Sequence, residues 1–122
     1  MQIKTALCVW QDRISPVFDS AQMLLIATIE RKKIIGRCYE VMPFNSPSSR
    51  TLKIFNLGVN VLICGAISRL YADMIEAYNI HLIPFVAGNS EQVLDAYLKG
   101  ALPAPEFQMP GCGIKRLSEL KR

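Results

Sequence analysis

The sequence predicts a single α/β domain in which helices cover both faces of a five-stranded mixed sheet. Three observations lead to this prediction. The chain has 122 residues, which suits one compact domain. Its first part contains strand-like apolar runs, and its second part alternates short apolar runs with segments of helical period. Hydrophobic residues make up 51% of the chain and charged residues 20%, which excludes a disordered chain.

The first part of the chain contains three predicted strands, at 3–10, 23–29 and 34–41. The first strand alternates two largely apolar sets of side chains, which is typical of a central strand covered on both faces. The second and third strands are joined by the short polar segment 30–33, which favours an antiparallel hairpin. Neither glycine nor asparagine stands in that connection, so the sequence does not assign its turn type.

The second part of the chain alternates three helices with two strands. Ser46 and Pro47 suit the start of the first helix, and Gly58 suits its end. Right-handed crossovers then give the strand order 3-2-1-4-5, with the second strand antiparallel to the others. This three-layer α/β/α arrangement resembles the ribonuclease H-like topology. The predicted ranges are helices at 46–58, 68–78 and 90–99 and strands at 59–64 and 80–85.

The end of the chain has a different composition. Proline and glycine exclude regular structure from Ala101 onward, apart from one predicted helical turn at 117–121. We therefore predict a domain over 1–102 and a basic, Pro/Gly-rich tail over 103–122. Residues 107–122 of this tail carry four basic side chains against one acidic side chain, which accounts for most of the net charge of +4. Because the basic cluster lies at a chain end and contains no aromatic residue, nucleic acid is not an expected partner.

The N-terminus lacks the features of a secretory signal, and no apolar run reaches the roughly 18 residues of a membrane span. We therefore expect a cytoplasmic protein with no membrane partner, present as a monomer or a weak homodimer. In a reducing compartment its four cysteines are expected to be free. Their separations, together with a single histidine, match no zinc-binding pattern.

A ligand site is expected at the carboxyl ends of the first and fourth strands, where the connections diverge. The segments 11–20, 65–68 and 86–89 converge there. Gly65 lets backbone approach a ligand closely, and Ser68 opens a helix whose free N–H groups favour an anion. The glycines are also explained as ordinary strand-to-helix turns. The candidate binding residues are Arg13, Ser15, Phe18, Cys64, Gly65, Ala66, Ile67, Ser68 and Gly88.

Two thiols are candidate metal ligands. Cys64 ends the fourth strand at the predicted crevice, beside a helix N-terminus that would lower its pKa. Cys112 stands in the segment 109–113, which cannot bury it locally. Each also has an explanation without metal, Cys64 as a packed core residue and Cys112 as an incidental exposed thiol. Structural roles are assigned to Cys8 and Cys38, and a structural or surface role to His81.

Three segments carry a resemblance to a known family. Ile14–Ala21 (ISPVFDSA) is similar to an S-P-x-F-x-x-A motif, and Gly58–Ile67 (GVNVLICGAI) to a G-V-D-V-[VL]-I-x-G-G-[IM] motif. Glu91–Leu102 (EQVLDAYLKGAL) resembles a closing helix, V-x-E-A-[IL]-x-x-Y-x-x-G-x-L. These motifs belong to the dinitrogenase iron–molybdenum cofactor biosynthesis family, which is NifX-like and similar to the C-terminal part of NifB. Asn60 replaces the acidic residue of the second motif, and Ala66 replaces its second glycine.

The resemblance implies a ribonuclease H-like domain that binds an iron–sulfur cluster or an iron–molybdenum cofactor precursor. Such a domain carries its cargo between metallocluster assembly proteins and is not an enzyme. A [4Fe–4S] site held by protein alone usually needs four thiolates, whereas the crevice offers Cys64 and at most Cys112. This shortage favours transient carriage over a permanent redox centre.

Two other functions are compatible with the fold. A metal-free module could bind a small anion or a partner through Ser15, Gly65 and Ser68. A two-metal nuclease would need clustered carboxylates, and the first strand contains none. The sequence therefore favours the carrier, keeps the anion-binding module as its alternative and disfavours the nuclease.

Overall fold

A mixed sheet with helices on both faces forms the framework of the molecule. The computed structural model describes residues 2–42, 46–102 and 105–109. In these residues the strands are β1 (Gln2–Trp10), β2 (Arg13–Ile14), β3 (Met23–Glu30), β4 (Lys33–Val41), β5 (Val61–Ile63) and β6 (His81–Ile83). The helices are α1 (Pro47–Asn56), α2 (Arg69–Ala77) and α3 (Ser90–Leu98), with single 3-10 turns at Phe18–Ser20 and Pro105–Phe107. None of the helices in the described ranges is long and apolar enough to cross a membrane.

The main path of the sheet runs β4-β3-β1-β5-β6, which is the predicted order of the five longer strands. Strand β3 is antiparallel to both of its neighbours, whereas β1, β5 and β6 are parallel. The prediction of five strands is wrong in one respect, because β2 adds a sixth. It pairs with the end of β1 through Trp10 and Arg13, after a tight turn in which Gln11 has a φ of 58°. The segment after β1 has too few apolar residues to mark so short a strand.

The core lies in two layers, one on each side of the sheet. Side chains of β1 alternate between the layers, with Ala6 and Cys8 on one side and Leu7 and Val9 on the other. Helices α1 and α2 cover the first layer and α3 covers the second. All four of these β1 side chains are buried, which confirms the predicted central strand.

The predicted absence of regular structure after Ala101 is wrong for residues 105–109. The N–H of Ala87 donates to the carbonyl of Phe107 at 2.6 Å, and the N–H of Met109 donates to that of Phe85 at 3.0 Å. The Phe107 ring packs against the layer covered by α3. An aromatic side chain therefore fixes this segment to the domain despite the prolines around it. The predicted helical turn at 117–121 lies outside the described residues.

Candidate functional site

The three loops predicted to converge do meet at the carboxyl ends of β1 and β5, but they bind one another. The N–H of Phe18 donates to the carbonyl of Ala66 at 2.7 Å, and the N–H of Ala66 donates to that of Pro16 at 2.8 Å. The N–H of Ile14 donates to the carbonyl of Gly88 at 2.9 Å. The backbone groups that were expected to meet a ligand are therefore engaged within the protein.

The space beside Gly65 is filled by the loop after β1. A Cβ atom at this position would lie 2.4 Å from the carbonyl oxygen of Pro16 and 2.5 Å from that of Ser15. Gly65 is therefore needed for the close approach of protein backbone, which occupies the space where a ligand was expected. Gly88 has a φ of +133°, and a Cβ there would lie 3.0 Å from the Phe107 ring.

Cys64 lies in the core beneath the three hydrogen-bonded loops, which we call the loop closure. Its side chain is 0% exposed and belongs to the same core layer as Cys8. Burial raises the pKa of Cys64 to about 12, and the nearby Asp19 carboxylate adds to the increase. The prediction of a lowered pKa is wrong because desolvation of the thiolate outweighs the field of the helix N-terminus. The other predicted ligand, Cys112, lies outside the described residues.

The N-terminus of α2 already binds a carboxylate side chain of the same protein. The N–H of Ser68 donates to Oδ1 of Asp19 at 3.1 Å, and the Ser68 hydroxyl accepts from the N–H of Tyr71 at 3.4 Å. Asp19 thus supplies from within the chain the negative charge that a helix N-terminus attracts. This arrangement weakens the anion-binding alternative, which needed Ser68 and its neighbours for an external anion.

A buried arginine donates hydrogen bonds to the loop between β2 and β3. Arg50 of α1 is 1% exposed, and its Nη2 donates to the carbonyls of Phe18 at 2.7 Å and of Ala21 at 3.1 Å. Its guanidinium lies 5.4 Å from the centroid of the Phe18 ring, which in turn contacts Tyr71 edge-on at 5.1 Å. Sequence reasoning missed Arg50. The available signal was its position four residues before the buried Ile54, which places it on the inner face of α1.

Two further candidate residues, Arg13 and Ile67, lie in different surroundings. Arg13 is exposed on β2, opposite Trp10. Ile67 is partly buried against the layer that α1 and α2 cover. The fold therefore brings the nine candidates into one region of the molecule but arranges most of them as supports of the loop closure.

An open cavity of about 690 Å³ lies next to this closure, and we name it the β1-end cavity. Of the nine candidate binding residues, only Ser15 lines it. Sequence reasoning missed the other lining residues. A usable signal was Trp10, a tryptophan at the end of the central strand, which is 57% exposed. The lining residues are Val9, Trp10, Gln11, Ser15, Pro16, Ser20, Ala21, Gln22, Met23 and Tyr39.

The described residues that line the β1-end cavity are uncharged. Among them there is no Asp, Glu, Lys, Arg, His or Cys side chain. Val9 and Ala21 are buried in its wall, whereas Trp10 and Tyr39 are more than half exposed. Across the described parts of the chain, no three His, Cys, Asp or Glu side chains are grouped so that they could hold a metal ion. The described lining residues therefore offer amide and hydroxyl groups and aromatic surface.

Comparison with known proteins places this fold in a family. The sequence model described as "Dinitrogenase iron-molybdenum cofactor" matches residues 1–100. No curated protein of similar sequence was found. Because the match spans most of the chain, its family can be assigned from sequence.

Solved structures show the same fold at low sequence identity. PH0822 superposes with a TM-score of 0.76 at 18% identity, over 80% of this chain and 90% of that one. Protein mj0327 of Methanocaldococcus jannaschii, which carries a dinitrogenase name, gives 0.67 at 20% identity over 83% and 92%. TM1290 of Thermotoga, which carries a NifB name and is assigned to the DUF35 family, gives 0.61 at 19% identity over 81% and 90%. With the sequence match over residues 1–100, these observations show that the chain belongs to the dinitrogenase iron–molybdenum cofactor family.

Proposed function

We propose that this protein binds an iron–sulfur cluster or an iron–molybdenum cofactor precursor in the β1-end cavity. It carries this cargo in the cytoplasm between metallocluster assembly proteins, and it does so without catalysing a reaction. The observation that supports the proposal is an open cavity of about 690 Å³ at the end of the central strand, in a chain of the cofactor family.

The size and openness of the cavity suit a carrier. Ligand pockets in proteins generally enclose about 300 to 1,000 Å³, and the β1-end cavity lies within that range. Its rim residues Trp10 and Tyr39 are accessible from solvent, so cargo can enter and leave without unfolding. The part of the lining that the structure describes offers no ionised group that would hold a metal species permanently. These properties favour reversible binding.

The helices and strands keep the cavity wall in place. Arg50 holds the carbonyls of Phe18 and Ala21, and Ala21 belongs to the wall. The N–H of Ser15 donates to the carbonyl of Cys8 at 2.8 Å, which ties the loop to β1. A rigid wall lowers the entropy lost on binding, because few side chains need to be ordered.

The proposal is tested by the metal content of the protein purified without oxygen from cells supplied with iron and molybdate. We expect stoichiometric iron in the wild-type chain and less iron in Trp10→Ala, since loss of one exposed aromatic contact, on the order of 1.4 kcal/mol, weakens binding about tenfold. Leu70→Ala is the matched control, because Leu70 is also an exposed apolar side chain and is not part of the lining. Absence of metal from the wild-type chain, or equal metal in all three proteins, would contradict the proposal.

A further inference from the structure

A second cavity lies at the opposite end of β1 from the β1-end cavity. It has a volume of about 340 Å³ and lies between the turn of the β3–β4 hairpin and the C-terminal end of α3; we name it the hairpin cavity. We propose that the hairpin cavity binds a small aromatic molecule that carries a phosphate monoester. The described residues that line it are different from those that line the β1-end cavity, so this inference does not rest on the proposed function.

The hairpin cavity has an apolar wall with one aromatic ring. Ile3 of β1 and Ile29 of β3 are direct partners in the antiparallel register, and Ile29 is buried. Tyr97 of α3 also lines the cavity and is partly buried against the core layer that α3 covers. The volume is near the lower end of the range for ligand pockets, which is about 300 to 1,000 Å³. This wall therefore suits a single flat ring system.

Three cationic side chains line the same cavity. Arg31 and Lys32 form the hairpin turn, and Lys99 follows the last residue of α3. A phosphate monoester carries a charge of about −1.5 to −2 at pH 7, so it can pair with more than one cation. The guanidinium of Arg31 can also donate two parallel hydrogen bonds to phosphate oxygens. Cations from two separate elements therefore favour a phosphate group at this rim.

Lys99 already has an anionic neighbour within α3. Its Nζ lies 2.9 Å from Oδ2 of Asp95, one turn earlier in the helix. Both side chains are more than half exposed, and such ion pairs contribute little because water screens them. A phosphate that Arg31 and Lys32 also contact can therefore compete with Asp95 for Lys99.

The carbonyl groups at the end of α3 are engaged within the chain. The carbonyl of Tyr97 accepts from the N–H of Gly100 at 3.0 Å, and that of Ala96 accepts from the N–H of Ala101 at 2.8 Å. Unpaired carbonyls at a helix C-terminus would repel an anion, and these hydrogen bonds reduce that repulsion. The helix end therefore opposes a bound phosphate less than a bare terminus would.

The backbone of the hairpin turn supports a role for its two side chains. Arg31 and Lys32 have φ angles of 53° and 64°, in the left-handed region that is costly for residues other than glycine. An Asn-Gly turn would avoid most of this cost but would remove both charges from the cavity. Backbone strain of this kind is concentrated at functional sites. The strained residues here are also two of the three cations at the rim.

An NMR titration of the isotope-labelled wild-type chain tests the inference. The probes are adenosine monophosphate and phenyl phosphate, and the backbone amides of Ile3 and Gly100 report on the cavity. We expect saturable shifts of both amides; the tighter of the two probes tells whether a nucleotide or a simpler aromatic phosphate is preferred. Adenosine and inorganic phosphate each lack one of the two recognised groups, and each should bind at least about tenfold more weakly. No saturable shift with either probe, or equal affinity for inorganic phosphate, would overturn the inference.

The indole N–H of Trp10 reports on the β1-end cavity in the same spectra, since Trp10 is the one tryptophan in the sequence. We expect its signal to stay unchanged during the titration. A shift of the indole signal without shifts of Ile3 and Gly100 would place the probe in the β1-end cavity, and the inference would be wrong. The metal content that tests the proposed function is measured separately, so failure of one leaves the other standing.

The double variant Arg31→Asn/Lys32→Gly tests the rim cations without destabilising the fold. We expect it to be more stable than the wild-type chain yet to bind adenosine monophosphate about tenfold more weakly, because two cations are lost. The swapped variant Arg31→Lys/Lys32→Arg keeps both charges and should bind within about threefold of the wild-type chain.

Lys33→Ala is the matched control for a nearby charge. Lys33 is exposed directly after the turn and is not among the described residues that line the hairpin cavity. We expect its affinity for adenosine monophosphate to stay within about twofold of wild type. Unchanged affinity in Arg31→Asn/Lys32→Gly, or an equal loss in Lys33→Ala, would overturn the inference.

Discussion

Cys64 shows how burial can reverse the expected effect of a helix terminus. It precedes α2 by only a few residues, and the sequence alone left open an activated thiol and a packed core residue there. In the folded chain its side chain is 0% exposed, and the pKa rises from the ordinary value of 9.0 to about 12. The cost of removing a thiolate from water is larger than the attraction of partial charges at a helix end.

The raised pKa of Cys64 predicts a loss of stability in alkaline solution. Below pH 9 the thiol is protonated in both states, so it does not alter the free energy of unfolding. Between pH 9 and about 12 the unfolded chain loses a proton that the folded chain keeps, and stability falls by about 1.4 kcal/mol per pH unit. Urea unfolding at about pH 10 and about pH 11, both within this window, measures this slope. The slope should be shallower in Cys64→Ala by about that amount, and parallel slopes in the two proteins would contradict the assignment.

At the scale of elements, the hairpin of β3 and β4 forms in spite of its turn. Glu30 pairs with Lys33, which leaves Arg31 and Lys32 as a two-residue loop. Their φ angles are 53° and 64°, so both are in the left-handed region, as a type I′ turn requires. The sequence could not assign this turn because it lacks the usual glycine and asparagine. The long pairing of the two strands imposes the conformation instead.

Replacing this loop with Asn-Gly should stabilise the protein. In Arg31→Asn/Lys32→Gly both residues adopt positive φ at lower cost, and we expect the free energy of unfolding to rise by about 1 kcal/mol. The double variant Arg31→Ala/Lys32→Ala removes the same charges without relieving the backbone, so it serves as the control. Both are compared with the wild-type chain by urea unfolding. A gain of equal size in the alanine variant would assign the effect to charge instead of backbone conformation.

At the scale of the whole molecule, the segment 105–109 joins the domain to the chain that follows it. The Phe107 ring packs under α3, and two backbone hydrogen bonds tie the segment to residues 85–87. We expect Phe107→Ala to lower the free energy of unfolding by about 1 to 2 kcal/mol, which is less than for a fully buried ring because Phe107 is only partly buried. Urea unfolding measures the change. Glu106→Ala, at an exposed neighbouring position, is expected to match the wild-type chain; an equal loss in both variants would exclude ring packing as the cause.

Apolar periodicity was sufficient to predict the mixed α/β class, the central position of β1 and the meeting of the three loops. It could not predict how the loops are arranged after they meet. The closure depends on backbone hydrogen bonds between distant residues such as Phe18 and Ala66, which leave no periodic signal. The β1-end cavity was missed for a related reason. Its wall combines Trp10 of β1 with Tyr39 of β4, and these two strands are far apart in sequence.

Gly65 has a consequence for comparing this chain with its relatives. The carbonyl oxygens of Ser15 and Pro16 lie so close to it that no side chain fits without displacing the loop. A homologue with any larger residue at the equivalent site must therefore route this loop along another path. Since Ser15 and Pro16 also border the hollow beside the central strand, a single alignment column can tell which homologues share its shape.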